Sequence, residues 1–119
     1  MLALTLPFPP TINHYYGVRG KARFIKPAGR EFRKLVADEV AVAGQDTFEG
    51  AVQLVIIVFP PDRRKRDLDN LLKALQDALT HAGVWLDDSQ IEDLHITKGE
   101  VRKGGETRVV INRLDRGNG

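Results

Sequence analysis

Apolar and polar positions divide the chain into a short series of elements. Leu2, Leu4 and Leu6 alternate with Ala3 and Thr5, which predicts a half-buried strand. Pro7, Pro9 and Pro10 stop that strand and keep the following backbone extended. Residues 11–26 read as a loop, since their glycines and cations suit a segment that closes on a partner. Pro27 fits the first turn of a helix. Phe32, Leu35, Val36, Val40 and Ala43 continue that helix as an apolar stripe, and Gly44 ends it. Residues 52–59 form a continuous apolar, β-branched run, which predicts a central strand buried on both faces and closed by Pro60-Pro61.

A basic turn follows. From Asp67 a second helix is expected, with Leu68, Leu71, Leu72, Leu75, Leu79 and Ala82 on one face and Gly83 as its stop. Val84-Trp85-Leu86 returns to the core and residues 87–90 turn the chain. Residues 91–98 and 107–114 read as two strands of a hairpin joined through Gly104-Gly105. The tail, residues 115–119, is expected to fray. The order β-α-β-α-β-β predicts an α+β fold. A mixed sheet of about four strands is packed with two main helices.

At 119 residues the chain is long enough for one core and short for two, so residues 1–119 are expected to form a single domain. It has no cysteine, which excludes disulfides and thiolate-built zinc sites. The N-terminus lacks a basic segment before its short apolar run, and no run approaches the ~20 residues needed to span a bilayer. These features point to a cytoplasmic protein with no membrane partner.

The net charge is only +2, and its distribution carries more information. Arg19, Lys21, Arg23, Lys26, Arg30, Arg33 and Lys34 crowd one early segment. Arg63, Arg64, Lys65 and Arg66 then run directly into Asp67, Asp69 and Asn70. Cations attract a phosphate backbone and bare carboxylates repel it. Both at one locus make sense when a divalent ion sits between carboxylate and phosphate. Asp67 and Asp69 flank Leu68 at a helix start. Asp88 is expected to be brought back beside them as a third carboxylate. Such a set would hold Mg²⁺, with Mn²⁺ as a substitute, for in-line displacement at phosphorus. Lys73, one helical turn beyond Asp69, is placed to meet charge on the phosphoryl oxygens. Asn70 is placed to orient water or contact phosphate. Arg19, Lys21 and Arg23, with the four cations at 63–66, are candidate nucleic-acid contacts. No organic cofactor is expected.

Ordinary roles compete at each position. Asp67 suits a helix cap, worth ~1 kcal/mol. Lys73 suits an ion pair with Asp69 or Asp77, and Asp87-Asp88 suit a turn. His14, His81 and His95 share no ligand-like spacing. Trp85 reads as core. Tyr15-Tyr16 suit either packing or contact with nucleic acid. The conjunction of carboxylates directly after four cations favours a metal-dependent nuclease.

Three stretches carry a resemblance. Thr5-Leu6-Pro7-Phe8-Pro9-Pro10, followed by Asn13 and Tyr15-Tyr16, is the first. Residues 61–71, centred on Arg66-Asp67-Leu68-Asp69-Asn70, are the second. Asp77-Ala78-Leu79-Thr80, with Gly83 and Trp85-Leu86-Asp87-Asp88, is the third. Together they resemble the RusA family of Holliday junction resolvases over nearly the whole length. Phe8 in place of a more familiar Trp and Lys65 among arginines are mild departures. The resemblance implies a homodimeric, Mg²⁺-dependent endodeoxyribonuclease that makes paired nicks in four-way DNA junctions during recombination and repair. It implies that Asp67, Asp69 and Asp88 are the essential acidic residues and that the functional lysine is Lys73. Two other readings remain at this stage. One is a protein that binds branched DNA without cutting it. The other is a metal-dependent nuclease with another branched or single-stranded substrate.

Overall fold

The computed structural model describes residues 1–114. Its ten elements are β1 (Leu2–Leu6), α1 (Ile12–Tyr15), β2 (Tyr16–Arg19), β3 (Ala22–Ile25), α2 (Pro27–Ala43), β4 (Val52–Phe59), α3 (Leu68–His81), a 3₁₀ turn (Asp88–Gln90), β5 (Ile91–Lys98) and β6 (Glu106–Arg113). The main sheet has the order β1-β6-β4-β5, and β2 and β3 form a separate ribbon. A four-stranded mixed sheet with two main helices is the α+β arrangement that the hydrophobic pattern predicts. The fraying expected of residues 115–119 lies outside the described residues.

The core forms on one face of the sheet. Leu2, Leu4 and Leu6, Val52, Leu54, Ile56 and Val58, and Val109 and Ile111 all point to it. Phe32 and Val36 of α2 and Leu71, Leu75 and Leu79 of α3 close it from the other side. Ala74 and Ala78 are fully buried between them and let the layers approach closely. Leu35 and Ala43, expected in the stripe of α2, stay exposed. Gly44 ends α2 at φ 68°, a left-handed conformation that costs glycine little.

Three expectations need correction. First, β4 is central but buried on one face only. Its residues alternate, from Val52, Leu54, Ile56 and Val58 at 0% exposure to Ile57 at 37%. Both long helices lie on the same side of the sheet, so an apolar run that suited two-sided burial has one covered face. Second, β5 and β6 do not form a hairpin. β4 lies between them, parallel to β5 from Val52↔Ile91 to Val58↔Lys98 and antiparallel to β6. A β-α-β crossover through α3 puts β5 beside β4, and the next segment crosses the end of β4 to reach its other side. That crossing passes close. The Gly99 amide donates to the Val58 carbonyl at 2.7 Å, and a Cβ on Gly99 would lie 2.6 Å from the Phe59 ring. The Gly104-Gly105 turn does exist, with φ of 81° and 72°. Third, residues 11–26 are not a plain loop. They contain α1 and the β2–β3 hairpin, whose register runs from Tyr16↔Ile25 to Arg19↔Ala22.

Among the described residues no helix is long and apolar enough to cross a membrane.

Candidate active site at the start of helix α3

Asp67 occupies the cap position of α3, with extended φ and ψ, yet its carboxylate makes no capping hydrogen bond. Only its backbone carbonyl is used, accepting from the Leu71 amide at 3.3 Å. The helix geometry turns half-buried Leu68 and buried Leu71 toward the core. Asp67, Asp69, Asn70 and Lys73 are exposed. Among the described residues no ion pair engages Asp67, Asp69 or Lys73, so the pairing of Lys73 with Asp69 or Asp77 does not form. Asp77 is instead committed elsewhere.

That commitment is the main internal polar network. Arg33 Nε donates to Asp77 Oδ2 at 2.8 Å and its Nη2 to Oδ1 at 3.0 Å. The fully buried Tyr15 hydroxyl donates to the same carboxylate. Burial alone would raise the Asp77 pKa, but hydrogen bonds from Arg33, Tyr15 and Tyr16 outweigh it and hold the carboxyl below its ordinary value. Burial, then the Asp77 bond, pushes the Tyr15 phenol well above its ordinary value, and burial with the Asp77 charge moves Tyr16 up to about 12. Tyr15 therefore packs, and Tyr16 lies under the Arg23 guanidinium at 4.0 Å. The network ties α1 and α2 to α3 and fixes the helix that carries Asp69.

Two recesses meet at Asp67. One is a groove of about 540 Å³, lined by Thr11, Ile12 and Asn13 on one side and by Lys65, Asp67 and Asn70 on the other. The second is shallower and lies between Arg66, Asp67, Asp69 and Lys98. Lys98 Nζ donates to the Arg66 carbonyl at 3.2 Å, which holds the end of β5 against the basic turn. Thr11, Asn13 and Lys98 are not among the site residues expected from the sequence. Asn13 sits in the opening motif, but only the fold shows that this motif faces residues 65–70.

The cations differ in availability. Arg63, Arg64 and Lys65 are exposed. Arg66 is turned inward, with its side chain 14% exposed, its Nη1 2.8 Å from Asp62 Oδ1 and its guanidinium over Phe8. The Arg66 bond and then the Arg64 amide lower the Asp62 pKa to about 2. Arg19, Lys21 and Arg23 are exposed at the β2–β3 ribbon.

Asp88 is not beside Asp67 in the chain. Asp87 caps the 3₁₀ turn by accepting from Ser89, and Asp88 follows it. Gln90 Nε2 pins this turn to the carbonyls of Phe48 and Gly50 at 2.9 and 2.8 Å, at the start of β4. Asp67 follows the end of β4. The 14 residues of α3 separate the two ends by about 21 Å at ~1.5 Å per residue. After α3, residues 82–90 lead into β5, which starts beside the start of β4 and so at the end of the sheet away from Asp67. Among the described residues no three His, Asp or Glu side chains gather as a metal site. Asp67 and Asp69 supply two short oxygen donors, which suits part of an Mg²⁺ shell but not the expected set of three. His14, His81 and His95 do not meet, and Trp85 fills the core with Nε1 donating to Thr80 at 2.7 Å.

Over most of its length the chain is similar to one family of known proteins. The family model for endodeoxyribonuclease RusA matches residues 7–112. The crossover junction endodeoxyribonuclease RusA of Escherichia coli is 41% identical over 113 residues, covering 94% of each chain. The protein of the same name from Enterobacteria phage HK97 is 37% identical over 111 residues, covering 92% of each.

Proposed function

This chain belongs to the RusA family and is a crossover junction endodeoxyribonuclease; we propose that it cuts at the acidic start of α3, with Asp67 and Asp69 as metal-binding carboxylates. The observation that carries this reading is their freedom. Asp67 is exposed between the groove and the shallower recess and Asp69 at that recess, and among the described residues neither carboxylate makes a capping hydrogen bond or an ion pair. A divalent cation, Mg²⁺ or in its place Mn²⁺, supplies activation of water and polarisation of the scissile phosphate when bound. The protein's own residues bind and orient the DNA. Arg63, Arg64 and Lys65 neutralise phosphates on the approach to the groove, together with Arg19, Lys21 and Arg23 on the ribbon. Asn70 contacts a phosphate or water next to the carboxylates. Lys73 faces the developing charge on the phosphoryl oxygens. Asp88 is the third acidic residue of the reading.

The substrate is a four-way junction, and the working form is a homodimer, because a junction offers two equivalent strands to two equivalent sites. The test is cleavage of a synthetic four-way junction beside a linear duplex, with Mg²⁺, with Mn²⁺ and with EDTA. Paired nicks in the junction only with metal are expected. Tight binding without cutting under every condition would make the protein a branched-DNA binder instead.

A further inference from the structure

The β2–β3 ribbon carries a group that phosphate contact does not use. Its register puts Val18 and Arg23 on one face with Tyr16 and Ile25. Gly17 and Phe24 share the other face with Arg19 and Ala22. Tyr16 and Ile25 pack against the core and anchor the first face. Phe24, on the second face, stays outside the core and is 39% exposed.

The Phe24 ring has a built seat. Gly17 lies opposite it on β2 and is buried. A Cβ on Gly17 would lie 2.7 and 2.9 Å from the ring's Cε1 and Cε2 and closer still to its Cζ. The ring therefore rests on bare backbone. Arg19 borders it, with the guanidinium carbon 5.6 Å from the ring centroid, looser than the 4.0 Å of Arg23 over Tyr16.

The surroundings select the partner. Residues 1–30 contain no Asp or Glu, and Arg19, Lys21 and Arg23 are exposed on the ribbon. An aromatic surface among cations fits a ligand that is anionic along its backbone and offers flat π-faces at intervals, namely a nucleotide strand with a free base. Stacking hides the base faces of a continuous duplex, and a branch point interrupts that stacking. The ribbon is also tied to the groove beside Asp67. Helix α1, whose Ile12 and Asn13 line that groove, runs straight into β2. Lys26, which follows β3, donates from Nζ to the Asn13 carbonyl at 2.7 Å.

We propose that Phe24, bordered by Arg19, is a stacking platform for an unpaired base at the branch point, and that it supplies part of the preference for branched over continuous DNA. The proposal rests on the functional reading above, which takes a four-way junction as the substrate. It gives one aromatic side chain a role that the ribbon's cations cannot fill, because duplex and junction present the same phosphates.

Gel-shift titration in EDTA, with a four-way junction beside a linear duplex and at several salt concentrations, separates stacking from charge. Loss of one base stack corresponds to about a five- to hundredfold change in affinity. Phe24→Leu should lower junction affinity by that factor and leave duplex affinity unchanged. It should also leave the slope of log affinity against log salt unchanged, because a stacked base releases no counterion. Phe24→Trp should retain junction affinity. Gly17→Ala, which pushes the ring off its seat without removing it, should reproduce the junction-specific loss. In a junction with 2-aminopurine at the branch point, wild type should quench the fluorescence more than Phe24→Leu does. An equal loss on junction and duplex overturns the proposal, as does unchanged junction affinity or equal quenching by the two proteins. Cleavage of the same junction by wild type in Mg²⁺ keeps the two readings apart. If wild type cuts it while Phe24→Leu binds it normally, only the platform falls. If wild type neither binds nor cuts it, the functional reading falls and the platform with it.

Discussion

Six aspartates lie between residues 62 and 88, and their surroundings divide them. Asp62, Asp77 and Asp87 are each held by named donors, and each has a lowered pKa. Asp67 and Asp69 have no such donors among the described residues, which leaves their oxygens for a ligand. The division predicts opposite responses to amide substitution. Asp77→Asn should destabilise the fold by about 2 kcal/mol, because Arg33 and Tyr15 lose a charged acceptor. Asp69→Asn should leave the melting temperature of the metal-free protein unchanged or raised. Thermal unfolding of both variants checks this. The pH dependence has a definite sign. The folded pKa of Asp77 lies below its unfolded value, so its contribution is present above the ordinary carboxyl pKa of ~3.9 and is lost as pH falls through the lower folded value. Asp77→Asn should therefore flatten the acid limb of the stability profile. The spacing of Asp67 and Asp69 was legible in the sequence because both lie within one helical turn. The Asp77–Arg33–Tyr15 network was not, since its members come from three elements far apart in the chain.

At the scale of elements, periodicity shows which face a residue takes and not which strand lies beside it. The stripe in α3 and the run in β4 were therefore legible, while the order of the last strands was not. The same pattern in β5 and β6 suits a hairpin or two strands on either side of β4. The β2–β3 ribbon escaped notice because Ala22, Arg23 and Phe24 are all exposed and show no alternation. Two measurements probe the packing. Ala78→Leu should cost about 1–3 kcal/mol in chemical denaturation, because Ala78 is fully buried between α3 and its neighbours. Asn13→Ala should weaken junction binding about fivefold, the loss of roughly one hydrogen bond, if the α1 wall of the groove touches DNA. Gel-shift titration checks it. Unchanged affinity would confine the DNA-binding surface to residues 63–70.

At the scale of the molecule, the exposed cations of the basic turn lead into the acidic start of α3, and the ribbon carries a second exposed set. Arg64→Ala/Lys65→Ala should lower junction affinity and reduce the slope of log affinity against log salt by ~0.9 for each phosphate no longer neutralised. Arg66→Ala should act differently. Its guanidinium is bound to Asp62 and packed on Phe8, so the variant should lose stability of the 62–67 turn rather than a simple increment of salt slope. Binding titrations at several salt concentrations, beside melting curves, distinguish the two. The most direct test of the central claim compares cleavage and binding by Asp69→Asn on a four-way junction, with one protein preparation in Mg²⁺. Loss of cleavage with junction affinity retained or increased is the predicted result, because the substitution removes a negative charge facing phosphate. Cutting at the wild-type rate would contradict the assignment of the active site to the start of α3.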